Sequence, residues 1–250
     1  MPFIDRRARA LTAAALAGAL ALAQAPHRGA AAETPPVNPG LKDLYQFGLL
    51  VKGPNWKRDP SPHGDSLQAA HLAHIKSMAA TGKLLGAGPF LDDGTLRGVL
   101  IFKADSIGAA RDLEAGDPAV ASGRLKLELE TWLGPVGVGV KYRERAAHAP
   151  DSMITLQLAL VRRGPHFQSA DLQEDMKLER GHRSHIASLA ASGELVGWGA
   201  FQGGGDRRGV YIFDADSATA RSKMMADPAV VAGRYAFEIH PWMTAWGVMP

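Results

Sequence analysis

The chain repeats itself. Shifted by 111 positions, residues 52–106 align with 163–217 without a gap, and 23 of the 55 pairs are identical. After one deletion, a shift of 110 aligns 110–132 with 220–242, where 10 of 23 pairs match. A period this long is a whole small domain, so it marks a duplication and not a solenoid. Whatever fold one copy adopts, the other adopts too.

Each copy carries the same order of elements. In the first, 44–52 is an apolar run of strand length, followed by a loop with Gly53-Pro54 and Pro60 and Pro62. Residues 67–81 have helical period, with Leu67, His71, His74, Ile75 and Met78 on one face and Gly82 placed as a C-terminal cap. Two short strands, 84–90 and 97–103, flank the turn Asp92-Asp93-Gly94. Asp105 or Ser106 caps a second helix reaching about residue 115, and Asp117-Pro118 starts a short helical turn closed by Gly123. Residues 124–132 alternate, with Leu125, Leu127 and Leu129 opposite Lys126, Glu128 and Glu130, as a strand with one face on a core does. The second copy repeats the series at 154–162, 172–191, 194–201, 209–214, 217–225 and 234–242.

The order is β-α-β-β-α-β, a ferredoxin-like unit of class α+β. Its two helices cover one face of a four-stranded sheet and leave the other bare, and a bare sheet face must be buried. The second copy is the nearest cover. The expectation is a pseudo-dimer in which the two sheets meet as an intramolecular α+β barrel. Two separate domains on a tether are the alternative that Glu128, Glu238 and His240 on the bare face leave open.

The expected boundaries are 1–32 as a signal peptide, 33–43 as a linker, 44–140 as repeat one, 141–152 as a polar linker and 153–250 as repeat two. Arg6, Arg7 and Arg9 precede an uncharged Ala/Leu stretch over 11–25, and Ala30-Ala31-Ala32 offers small residues for cleavage. A periplasmic or secreted destination follows. The formal charge of +3 equals the leader's own balance, four Arg (6, 7, 9 and 28) against Asp5. The remainder is near neutral, which argues against nucleic acid as a partner. No later segment is long and apolar enough to span a bilayer. With no cysteine, the chain has no disulfide, thiolate nucleophile or thiolate metal site.

Histidine and aspartate recur at matched places. His71 and His74 share a helix face with apolar residues, as do His182 and His185. A histidine with a carboxylate partner in a pocket can move protons near neutral pH, and Asp117 or Asp227 could hold the imidazole tautomer. Each His also fits a hydrogen-bonded core residue, and each Asp fits an N-cap before proline. A metal reading would take His71, His74 and Asp117, at a His-His spacing of three where helical zinc sites use four. Our assignment is no metal and no cofactor, with His74 and His185 as weaker substrate-binding candidates. Arg97 and Arg208 open the third strands and are expected to pair with Glu128 and Glu238 across the two sheets. Neither Gly86-x-Gly88 nor Gly203-Gly204-Gly205 precedes a helix, so neither is a phosphate loop.

The ordered set His71-Leu72-Ala73, Gly82-Lys83-Leu84-Leu85-Gly86-Ala87-Gly88-Pro89 and Asp117-Pro118-Ala119-Val120 with Gly123 resembles the YciI-like, or YCII-related, family. The second copy answers with His182, Gly193-Glu194-Leu195-Val196-Gly197 and Asp227-Pro228-Ala229-Val230 with Gly233. The resemblance implies a dimeric α+β barrel and a histidine–aspartate catalytic pair, carried here by His71 with Asp117 and His182 with Asp227. It implies proton-transfer chemistry of the isomerase or lyase kind, as in muconolactone-isomerase-like and dehydrochlorinase-like barrels. A non-catalytic binding or sensing module of the cell envelope is the alternative, with its small-molecule ligand unidentified and higher oligomers open. Family members often carry an arginine three residues before the helix histidine; Gln68 and Glu179 stand there instead.

Overall fold

The computed structural model describes residues 42–58, 61–168 and 171–250. The expected leader lies outside them, as does the linker apart from Lys42 and Asp43, which open the first strand.

Repeat one comprises β1 (Lys42–Lys52), α1 (Pro62–Ala80), β2 (Leu84–Pro89), β3 (Leu96–Phe102), α2 (Ile107–Glu114), α3 (Pro118–Ala121) and β4 (Leu125–Pro135). The connecting segment carries α4 (Val140–Ala146). Repeat two comprises β5 (Met153–Arg163), α5 (Leu172–Ala191), β6 (Leu195–Phe201), β7 (Arg207–Phe213), α6 (Ser217–Met225), α7 (Pro228–Val231) and β8 (Tyr235–Ala245).

Local chemistry sets the helix ends. Helix α1 starts five residues before its apolar period, because Ser61 accepts from Gly64 N and Pro62 stands in the first turn. Gly82 follows the C-cap Thr81 with φ +71°, a left-handed conformation that glycine adopts without steric cost. The second helices are capped differently in the two copies. Ser106 caps α2 through Ala109 N, whereas Asp216 caps α6 through Thr219 N, so α6 starts one aligned position earlier.

The two sheets join into one eight-stranded antiparallel sheet, ordered β2-β3-β1-β4-β6-β7-β5-β8. Strands β1, β4, β5 and β8 are 11 residues long; β4 and β8 are paired along their full length by β1 and β5 and are the edge strands of their own repeats, and their ends run on past β3 and β7. Each overhang pairs with the other repeat's short edge strand. Trp132 and Leu133 pair with Phe201 and Ala200, and Gln202 N donates to Thr131 O at 2.9 Å. At the opposite seam Phe90 bridges Trp242, and Leu91 N donates to Pro241 O at 2.9 Å. The two seams are the same contact, related by the duplication. Closing on itself in this way covers the exposed strand edges.

Strand alternation divides the apolar residues between three cores. Tyr45, Phe47, Leu49 and Val51 of β1 point into the barrel with Trp132, Phe201 and Trp242. Leu50 points outward, and with Leu125, Leu127 and Leu129 it packs in the layer that includes Met78 of α1 and Ala110 of α2. A matching outer core holds Ile186 and Leu189 of α5 with Val161 and Phe213. Thus the bare face foreseen for each sheet is the barrel interior, and the leucine face of β4 belongs to the helices. At the seams the backbones touch through glycine: a Cβ on Gly88 would lie 1.8 Å from Met243 O, and one on Gly199 would lie 2.0 Å from Leu133 O.

Candidate active site

His71 is the one histidine of α1 buried against the sheet, 8% exposed. Asp117 stands at the N-terminus of α3 and is fully buried. Its two oxygens divide the work. Oδ1 accepts from Ala119 N at 2.7 Å, capping the helix, and Oδ2 lies 2.5 Å from His71 Nδ1. The capping role and the histidine-pairing role therefore coexist in one carboxylate. Burial pulls the Asp117 carboxyl upward, but the bond and charge of His71 and the amides of Ala119 and Val120 outweigh it and hold it below the ordinary carboxylate range. An ionised Asp117 can only accept, so Nδ1 of His71 carries a proton, and in the neutral ring Nε2 is the nitrogen with the lone pair.

Repeat two has the same pair. His182 Nδ1–H donates to Asp227 Oδ2 at 2.6 Å, and Asp227 Oδ1 caps Ala229 N at 2.8 Å. Burial again raises and the His182 bond and charge lower the Asp227 carboxyl, with a net fall.

The pairs differ at Nε2. In repeat one this nitrogen has no hydrogen-bond partner among the described residues, and His71 lines a cavity of about 550 Å³. Leu50, Leu67, Ile75 and Leu100 give that cavity apolar walls, and Gln68, Arg97 and Arg124 give it polar ones. In repeat two His182 Nε2 is 3.0 Å from the hydroxyl of Tyr211, which donates to it. Burial and the charge of Asp227 push the Tyr211 phenol far up, so it stays protonated. Tyr211 aligns with Leu100, Tyr235 with Leu125 and Trp198 with Ala87. The Tyr235 ring packs edge-on to His182 at 5.4 Å between centroids. Lys42 closes the same side, its ammonium 4.0 Å from the Trp198 ring centroid and bonded to Trp198 O, with burial lowering its pKa to about 8. Three aromatic rings stand in repeat two where small or aliphatic residues line the cavity of repeat one.

His74 and His185 go elsewhere. His74 Nε2–H donates to Leu113 O at 3.1 Å, and His185 Nε2–H to Lys223 O at 2.9 Å. They tie the long helix to the one that follows it, and His74 does not line the cavity. Arg97 and Arg208 do not pair with Glu128 and Glu238 as expected. Arg97 donates to Asp92 O and Arg208 to Gly205 O. The cation that crosses to Glu128 is Arg207 of the other repeat, at 2.6 Å, while Glu238 pairs with Arg162 of its own repeat at 2.5 Å. These partners were legible as charges but not as contacts, because the β4–β6 register decides which arginine arrives.

Sequence reasoning missed Glu114. It is 1% exposed, and neither carboxyl oxygen accepts a hydrogen bond among the described residues. One oxygen lies 3.8 Å from His74 Nε2. Burial first, and then the charge of Asp117, push its pKa up to about 8, so it is a neutral acid at pH 7. His74, Glu114 and Asp117 bring one donor atom each within 4.8 Å and could hold a metal ion. Doing so would require His74 to release Leu113 O and Glu114 to ionise. The aligned residue in repeat two is Met224, yet His185 makes the same carbonyl bond there, so that bond needs no ion.

Residues 49–132 match the YCII-related domain. No curated protein matches the chain. Among solved structures, an arginine-to-lysine variant of chlorite dismutase from Candidatus Nitrospira defluvii aligns with a TM-score of 0.51 at 11% identity, covering 80% of this chain and 91% of that one. A Lactobacillus acidophilus NCFM protein provisionally named a monooxygenase aligns with a TM-score of 0.45 at 11% identity, covering 80% and 93%. At 11% identity the likeness to chlorite dismutase concerns the fold alone. His71, the Gly82–Pro89 stretch and Asp117-Pro118 all lie inside the matched segment, so the first repeat carries a YCII-related domain.

Proposed function

We propose that this protein is a small-molecule acid/base enzyme in which only the first repeat works. The observation that carries this reading is that His71 lines a cavity while its Nε2 has no hydrogen-bond partner among the described residues, beside a duplicate whose Nε2 is occupied by Tyr211. His71 Nε2 takes a proton from a bound substrate, and Asp117 steadies the imidazolium that results. Returning that proton to a neighbouring atom gives an isomerisation; losing a leaving group first gives an elimination. The cavity volume fits a small organic molecule. The YCII-related match supports a pocket-borne function of this kind. Repeat two serves as the scaffold that closes the barrel. The leader over 1–32 supports export to the periplasm or beyond. Among the described residues no helix is long and apolar enough to cross a membrane.

The test is hydrogen–deuterium exchange at carbon. A library of small carbonyl compounds and lactones is incubated with the full chain in D₂O and followed by NMR. The reading expects exchange that His71→Ala removes and His182→Ala leaves intact. Exchange surviving His71→Ala would overturn it. A compound that binds in this cavity without exchanging selects a binding or sensing module instead.

A further inference from the structure

The cavity lining includes two arginines that have no ion-pair partner among the described residues. The Cζ atoms of Arg97 and Arg124 each lie 5.1 Å from the centroid of the Trp56 ring, and all three residues line the same cavity as His71. Neither arginine forms an ion pair among the described residues. Arg97 spends one N–H on the backbone oxygen of Asp92, and the Arg124 guanidinium makes no hydrogen bond among the described residues.

Repeat two shows what such a cluster needs. Arg208 and Arg234, the aligned residues, flank Phe167 at 5.3 and 5.8 Å, and Phe167 aligns with Trp56. There Arg234 is neutralised by Asp175 at 2.5 Å. The residue aligned with Asp175 in repeat one is Gly64, which has no side chain to offer. The cluster was duplicated with its aromatic platform, and its counter-ion Asp175 is present only in repeat two.

We propose that Arg97 and Arg124, held on Trp56, form the carboxylate subsite of this cavity, and that the substrate is an apolar small-molecule carboxylate. A guanidinium presents a planar fork that matches a carboxylate bidentately, and stacking on an indole fixes its plane. The apolar walls suit a hydrocarbon body, which places the anion at the arginine end. This inference rests on the reading of the His71 cavity as the working site.

The test measures binding of benzoate, phenylacetate and cyclohexanecarboxylate, their primary amides, and phenyl phosphate to the full chain by calorimetry. At least one carboxylate should bind more tightly than its amide. Arg97→Gln and Arg124→Gln should each weaken it roughly tenfold, as expected for a charge-assisted bond. Arg97→Lys should retain part of the affinity, and Arg208→Gln should change nothing. His71→Ala should keep carboxylate binding, so exchange that survives this change with binding intact refutes the catalytic reading and leaves the subsite standing. Equal binding of acids and amides, no carboxylate binding, preference for phenyl phosphate, or glutamine variants with unchanged affinity would each overturn the subsite.

Discussion

The hydroxyl of Tyr211 occupies the nitrogen of His182 that would otherwise face a substrate, at 3.0 Å, and the residue aligned with Tyr211 in the other repeat is Leu100. One duplication therefore left two nearly identical histidine–aspartate pairs with opposite access. Retention of the second pair has a structural reason of its own. Asp227 caps α7, and its bond to His182 ties that cap to α5.

Transplanting the plug should close the open site. Leu100→Tyr with Leu125→Tyr recreates the Tyr211 and Tyr235 pair around His71. The fold already accommodates both rings once, so the double variant should fold with a Tm within a few degrees of the parent. Ligand binding and carbon exchange should fall by about tenfold or more, as a hydroxyl occupies Nε2. A folded double variant with unchanged binding would show that the cavity at His71 is not the site.

The barrel seams should not tolerate a methyl group. Gly88→Ala and Gly199→Ala place a Cβ against Met243 O and Leu133 O, backbone atoms that cannot swing aside. Each change should cost about 1–3 kcal/mol or more, the range for overpacking. Chemical denaturation gives the value. Because the seams are equivalent, the two costs should be similar, and a large difference would mean that the repeats do not close symmetrically.

Glu114 should make the protein less stable as pH rises. Its folded pKa of about 8 lies above the ordinary glutamate value near 4.5, so the folded state binds the proton more tightly than the unfolded chain does. The resulting stabilisation is complete below pH 4.5 and is lost as pH climbs through 8. Glu114→Met, the residue repeat two uses, removes both the slope and an unsatisfied buried acid. At pH 8 it should gain about 1–3 kcal/mol, seen as a Tm rise of roughly 2–10 °C. Equal pH slopes in parent and variant would refute this account.

The doubled βαββαβ order and the residues of each His–Asp pair were legible because a repeat aligns with itself, and helical period and Asp-Pro capping are local signals. Three things were not. The edge-to-edge seams depend on how far β4 and β8 overhang, which no local pattern states. The leucine face of β4 reads as a core face, but only tertiary packing decides that this core lies under the helices. The plug was visible as aromatic residues at 198, 211 and 235, yet sequence alone could not say that Tyr211 and Tyr235 converge on one imidazole. Glu114 escaped because a lone glutamate in a helix ordinarily faces water, and burial is a property of the assembled layer.

Asparagine at the two aspartates should separate their roles. In Asp117→Asn and Asp227→Asn the side-chain oxygen can still cap Ala119 or Ala229, so both variants should fold. Both native carboxyls titrate below the ordinary aspartate range. Their stabilising contribution is therefore present above about pH 4 and lost as pH falls through the folded values. Each asparagine variant should show a shallower acid limb in thermal melts between about pH 5 and pH 2. The activity effects should diverge. An amide on Oδ2's side offers a donor to His71 Nδ1, which puts the ring proton on Nε2, where a base is needed, and removes the charge that steadies the imidazolium. Carbon exchange should fall sharply in Asp117→Asn and stay at the parent level in Asp227→Asn. Equal losses in both would mean that the Tyr211 plug opens in solution and that both repeats work.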